Sequence, residues 1–81
     1  MRMRMRWSNM TAGEIIEALS KAPKDYKVYN GMVSNYDFGF LTGVVLNVNT
    51  DSIIFVDNYT INEYLGEPER YKILGHGEEE K

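Results

Sequence analysis

The sequence predicts an α+β domain: one N-terminal helix packed on a small antiparallel β-meander of three to four strands, with a short second helical turn. Three observations predict it. After residue 10 comes a capped segment with apolar residues at helical spacing. Phe38, Phe40, Val44, Leu46 and Val48 then recur at period two, which sets them on one face of a strand. Turn-forming residues at Thr50-Asp51 separate that run from a second apolar run, Ser52 to Asp57, in the manner of a hairpin.

Eighty-one residues hold one core and leave no room for a second. With 43% hydrophobic and 26% charged residues, the chain has the composition of a folded domain. A domain of this size buries only about 60–65% of its unfolded surface, so self-association into a homodimer is expected to add stability. The chain has no cysteine, which removes disulfides and thiolate metal sites and agrees with a reducing compartment. No apolar run approaches the roughly 20 residues that span a bilayer. The basic N-terminus lacks the apolar segment of a signal peptide. A cytoplasmic protein with no membrane partner is expected.

Met1 to Trp7 alternates apolar and basic residues, so Met1, Met3, Met5 and Trp7 fall on one face of a strand. Residues 1–9 read as a basic N-terminal extension or edge strand, outside a main unit of residues 10–75. Three arginines are few for nucleic-acid affinity when the rest of the chain repels phosphates, so direct nucleic-acid binding is not expected. Thr11 stands three residues before Glu14, the capping-box spacing, and Met10 and Ile15 are placed as a hydrophobic staple. Ala12, Ile15, Ile16, Leu19 and Ala22 make one apolar stripe, and Pro23 ends a helix expected over residues 12–22.

Tyr26 to Val33 reads as the first strand of the meander, and Ser34 to Asp37 as the turn after it. Phe38 to Asn49 reads as the second strand, with Gly39 and Gly43 marking a bulge or a close backbone approach. A two-residue loop at 50–51 pairs Val48 with Ile53 and Leu46 with Phe55, a clean core face for the helix. The opposite face carries Val45, Val56, Asn47 and Ile54. It is too apolar to face water, so it is expected to be covered by the N-terminal arm, the C-terminal segment or a second copy. Tyr59 to Gly66 repeats the Thr-x-x-Glu signal with a C-cap glycine and predicts one or two helical turns. Arg70 to Leu74 is the last strand, and residues 76–81 an acidic flexible tail.

No catalytic constellation is visible. His76 is the only histidine and stands between glycines, without a partner to orient it as base or metal ligand. Ser8, Ser20, Ser34 and Ser52 lack a nucleophile elbow. Gly39-Phe-Leu-Thr-Gly43 lacks the Gly-Lys-(Ser/Thr) ending of a phosphate loop. Glu78-Glu79-Glu80 reads as a solvated run. The expectation is a protein that is not an enzyme and takes no metal and no cofactor.

Charge carries the positive signal. From Val28 to Glu69 there is no Lys or Arg, while Asp37, Asp51, Asp57, Glu63, Glu67 and Glu69 are present. Natural surfaces intersperse both signs, so a long base-free stretch projects a one-signed field if its acids share a face. Such a surface attracts a basic partner and speeds encounter at low salt. Tyr59 and Tyr64 in the same stretch are candidate interface anchors. These eight residues are the expected partner-binding set. The plain alternative is a solvated acidic surface.

Thr11-Ala-Gly-Glu-Ile-Ile-Glu-Ala-Leu, followed by Pro23-Lys-Asp25 and Val28, resembles the opening of small phage and prophage accessory proteins. These begin Thr-x-Gly-Glu-(Ile/Leu)-Ile-x-x-Leu, continue with Pro-x-Asp and enter a strand. In that pattern Met10 stands where chains often start. The charge balance is similar to that of acidic early phage proteins that take over a host by mimicking DNA. The resemblances imply a non-enzymatic inhibitor in the host bacterial cytoplasm, bound to a basic host protein that itself binds nucleic acid, such as a histone-like nucleoid protein. The alternatives are an anti-defence protein that blocks a CRISPR effector or sequesters a nucleotide signal, and a structural dimerisation module of a phage complex.

Overall fold

The computed structural model describes residues 6–32 and 41–80. The elements are β1 (Arg6–Trp7), α1 (Ala12–Leu19), β2 (Lys27–Asn30), β3 (Gly43–Asn47), β4 (Ser52–Val56), α2 (Ile61–Leu65), β5 (Tyr71–His76) and β6 (Glu79–Glu80). The expected α+β class is what forms. The expected turn at Ser34 to Asp37, the residues Phe38, Gly39 and Phe40, and the alternation of residues 1–5 lie outside the described residues.

α1 begins as its sequence dictates. The Thr11 side chain accepts from Glu14 N at 3.1 Å and Glu14 Oε1 accepts from Thr11 N at 2.7 Å, satisfying two donors that the first turn leaves free. Its regular hydrogen bonding ends at Leu19, short of the expected Ala22. The last turn tightens into i to i+3 bonds, Lys21 N to Ala18 O and Ala22 N to Leu19 O, before Pro23.

Four strands form a mixed sheet in the order β2-β4-β3-β5, and β1 and β6 form a separate antiparallel pair. The meander is therefore antiparallel only across β4, β3 and β5; β2 runs parallel to β4 and lies beside it rather than beside β3. The reason is burial. Gly43-Val-Val-Leu-Asn and Ser52-Ile-Ile-Phe-Val are apolar on both faces and take the two central places, which leaves β2 and β5 at the edges.

The β3–β4 hairpin pairs Asn47 with Ser52, Leu46 with Ile53 and Val44 with Phe55, two residues away from the expected register. A two-residue loop needs positive φ at its first central position, which β-branched Thr50 resists. Residues 48–51 form the turn instead, and one left-handed residue, Asp51 at φ 52°, suffices. A slip of two residues keeps every side chain on its face.

Both faces keep their expected residues except Val48, which leaves the core face for the turn and is 46% exposed. Val44, Leu46, Ile53 and Phe55 pack with Met10, Ile15, Ala18, Leu19 and Leu74 beneath α1. Val45, Val56 and Ile54 pack with Trp7 of the arm and with Ile61, Tyr64, Tyr71 and Ile73. Of the covers expected for the second face, the N-terminal arm supplies Trp7; α2, which was not among them, supplies Ile61 and Tyr64. Gly43 admits α2 closely, because a Cβ there meets Ile61 Cδ1 at 2.9 Å. The expected irregularity falls one residue later, between Val44 and Val45, where β5 carries one extra residue opposite β3.

The tail differs from expectation. His76 is the last residue of β5, Gly77 N donates to Thr42 O at 2.8 Å, and Glu79–Glu80 pairs with Arg6–Trp7. The chain from 76 to 80 closes the end of the molecule instead of hanging from it.

Candidate functional site

The eight residues expected to bind a partner do not form one surface. Asp37 lies outside the described residues. Asp57 is a correction: it is 1% exposed and cannot meet a partner. Its Oδ1 accepts from Tyr59 N at 2.9 Å, Thr60 N at 2.9 Å and Thr60 Oγ1 at 3.0 Å, while Thr60 Oγ1 accepts from Asp57 N at 3.2 Å. This is a capping box built on Asp57 and Thr60. The Thr-x-x-Glu spacing places the box on Thr60 and Glu63, but Thr60 makes no side-chain cap to α2 and Gly66 stays right-handed at φ −76°. The available signal was Asp57 three residues before Thr60.

Asp51 is exposed at the hairpin turn, where it accepts from Tyr26 Oη at 3.1 Å. That bond, aided by the negative charge nearby, raises the Tyr26 phenol above its ordinary value. Bases from the flanking sequence gather at the same end of the sheet. Lys27 is in register with Ser52 beside Asp51, and the Arg70 carbonyl accepts from Val48 N. Glu69 is exposed in the turn before β5, next to Arg70. Lys27 and Arg70 thus stand at the same end of the sheet as Asp51 and Glu69.

Glu63, Tyr64 and Glu67 do converge. With Tyr71 they line one open cleft between the C-terminal side of α2 and the start of β5. Tyr64 and Tyr71 meet edge to face, with centroids 4.7 Å apart at 86°. Partial burial, then the neighbouring Tyr71 and Glu63, raises the Tyr64 phenol above its ordinary value, so it stays neutral at physiological pH. Arg70 Nη1 lies 3.2 Å from Glu67 Oε1, with its guanidinium carbon 5.6 Å from the Tyr71 ring centroid. Tyr59 is 63% exposed on the turn before α2. Tyr71 and Arg70 were missed, although the period-two pattern of the last strand sets Tyr71 and Ile73 on one face.

Chemically, the cleft brings two carboxylates and two tyrosine rings to one place, and its Glu67 and Tyr71 already meet one cation, Arg70. Among the described residues, no three His, Asp or Glu gather to hold a metal ion. No helix of the described residues is long and apolar enough to cross a membrane. Comparison of the chain with protein-family models, curated proteins and solved structures returns no match.

Proposed function

We propose that the protein is a non-enzymatic binding module that takes a basic side chain of a protein partner in the cleft of Glu63, Tyr64, Glu67 and Tyr71. The observation that carries this reading is Arg70. The chain's own guanidinium already sits against Glu67 and over Tyr71, which is the contact an incoming arginine or lysine makes there. Cation–π contact and a charge-assisted hydrogen bond act together at such a site, and partial burial of the rings strengthens both.

The wider reading, a phage accessory protein that inhibits a basic DNA-binding host protein in the bacterial cytoplasm, rests on the resemblances and on this preference for a basic partner. The acids left to serve it are the exposed Asp51, Glu63 and Glu69 and the half-buried Glu67. Mimicry of DNA is then local, a pair of carboxylates at the cleft rather than a continuous acidic face.

The test is a pull-down from bacterial lysate at low salt, after nuclease treatment, with the native chain and with Glu63→Gln/Glu67→Gln. A basic protein retained by the native chain, released by salt and lost with the double variant is the expected result. Equal retention by both chains would remove the cleft from the interface.

A further inference from the structure

A second hollow adjoins the cleft and is made of different chemistry. Val48, Leu65, Pro68 and Ile73 line it together with Tyr64 and Tyr71, the two rings that also line the cleft. It holds about 400 Å³, room for one large side chain. Its origin is the register of the hairpin. The slip of two residues carries Val48 into the turn, where it is 46% exposed, and Leu65 at the end of α2 is 38% exposed. Single exposed apolar residues are ordinary on a surface, but two that border one hollow form a patch that binding would cover. Among the described residues, Lys72 is the one charge in the lining. The hollow lies where β3 ends and β5 begins: Asn47 is in register with Tyr71, and Val48 N donates to Arg70 O at 3.1 Å. The chain on both sides of residues 33–40 is held at the opposite end of the sheet, where Gly31 N donates to Phe55 O and Thr42 N to Val56 O. Arg6, paired with Glu80, is likewise beyond the His76 end of β5.

We infer that cleft and hollow together read two side chains of one extended segment of a protein partner. Arginine or lysine enters the cleft, and a large aliphatic or aromatic residue two positions away enters the hollow. The inference rests on the proposal that the cleft takes a basic side chain. Charge assigns the two positions. Glu63 and Glu67 attract a cation to the cleft, whereas the hollow offers apolar carbon and Lys72, which repels a second base. The shared rings set the spacing. Side chains packed on either side of one ring stand about 7 Å apart, and residues i and i+2 of an extended segment project to the same side at that separation.

The test is an NMR titration of the native chain with two end-capped peptides, Gly-Arg-Ser-Leu-Gly and Gly-Leu-Ser-Arg-Gly, each beside a control with Ala in place of Leu. Amide shifts of Glu63 and Glu67 report the cleft, and those of Val48 and Leu65 the hollow. One order of the pair is expected to bind about tenfold more tightly than its control, and to shift Val48 and Leu65 where the control does not. Leu65→Ser is expected to lower that affinity to the control's while leaving the control's own affinity unchanged. Equal affinity of both peptides and their controls, with cleft shifts present, would overturn the two-position reading and leave the cleft standing. No cleft shift with any peptide would overturn both. If Leu65→Ser does not fold, the comparison of peptides on the native chain decides.

Discussion

Asp57 illustrates how one residue's role is set by its neighbours rather than by its charge. In the sequence it is one acid of a base-free stretch; in the fold its carboxylate is spent on the backbone of the turn that launches α2. Removing an N-cap costs about 0.5–2 kcal/mol, and leaving buried amides unpaired puts Asp57→Ala at the upper end, about 2 kcal/mol. In a domain this small the midpoint falls about 4–8 °C for each kcal/mol, so calorimetry resolves the loss. Asp57→Asn keeps an acceptor for the same amides and is expected to lose less. Tyr64 makes the corresponding pH argument. Its phenol is raised in the folded state, chiefly by burial, so the neutral form is favoured by folding. The unfolded chain then releases the proton at lower pH than the folded one, and stability falls as pH rises through and above the ordinary tyrosine value of 10.0. Thermal midpoints are expected to drop on the alkaline side of that value, and to drop less steeply in Tyr64→Phe.

At the scale of elements, α1 and the hairpin differ in what the sequence could say about them. The first turn of α1 is local chemistry: Thr11 and Glu14 satisfy each other's backbone, and no distant residue is needed. Thr11→Ala is therefore expected to cost about 1 kcal/mol, whereas Glu14→Gln, which keeps the acceptor, changes stability by little; urea denaturation of both variants checks this. The two faces of the β3–β4 hairpin were equally legible, because period-two alternation survives any even slip in register. The register itself was not, since it depends on which turn residue takes a left-handed conformation, and Asp51 took it where Thr50 could not. Nor was the place of β2, which runs parallel to β4 and beside it, a crossover that local spacing does not encode. Of the candidate site, Glu63, Tyr64 and Glu67 were recoverable because they lie close in sequence around one short helix. Tyr71 reaches the same cleft at the start of the strand that follows, a tertiary relation that spacing does not encode, whereas Arg70 stands three residues after Glu67, a local pairing that the sequence did offer.

Across the whole molecule, the central electrostatic fact is the mixing of charge that the sequence segregates. Residues 28–69 hold six acids and no base, yet Asp51 sits beside the strand that begins at Lys27, and Glu67 is bridged to Arg70. The Glu67–Arg70 pair is exposed and contributes little to stability, of order 0–1 kcal/mol. Cations placed near Asp51 and beside Glu67 oppose the field that these two carboxylates project. A one-signed face repels itself, so screening it stabilises the fold; a mixed face has no such repulsion to relieve. Salt that shortens the screening length from about 30 Å to about 3 Å is therefore expected to change the unfolding free energy by less than about 0.5 kcal/mol, while weakening capture of a basic partner at the cleft. The two measurements separate two pictures of the molecule. A flat stability profile with salt-sensitive binding assigns recognition to Glu63 and Glu67 alone. A marked rise in stability with salt would mean that the acids do crowd one face, and recognition would then belong to a continuous acidic surface rather than to the cleft.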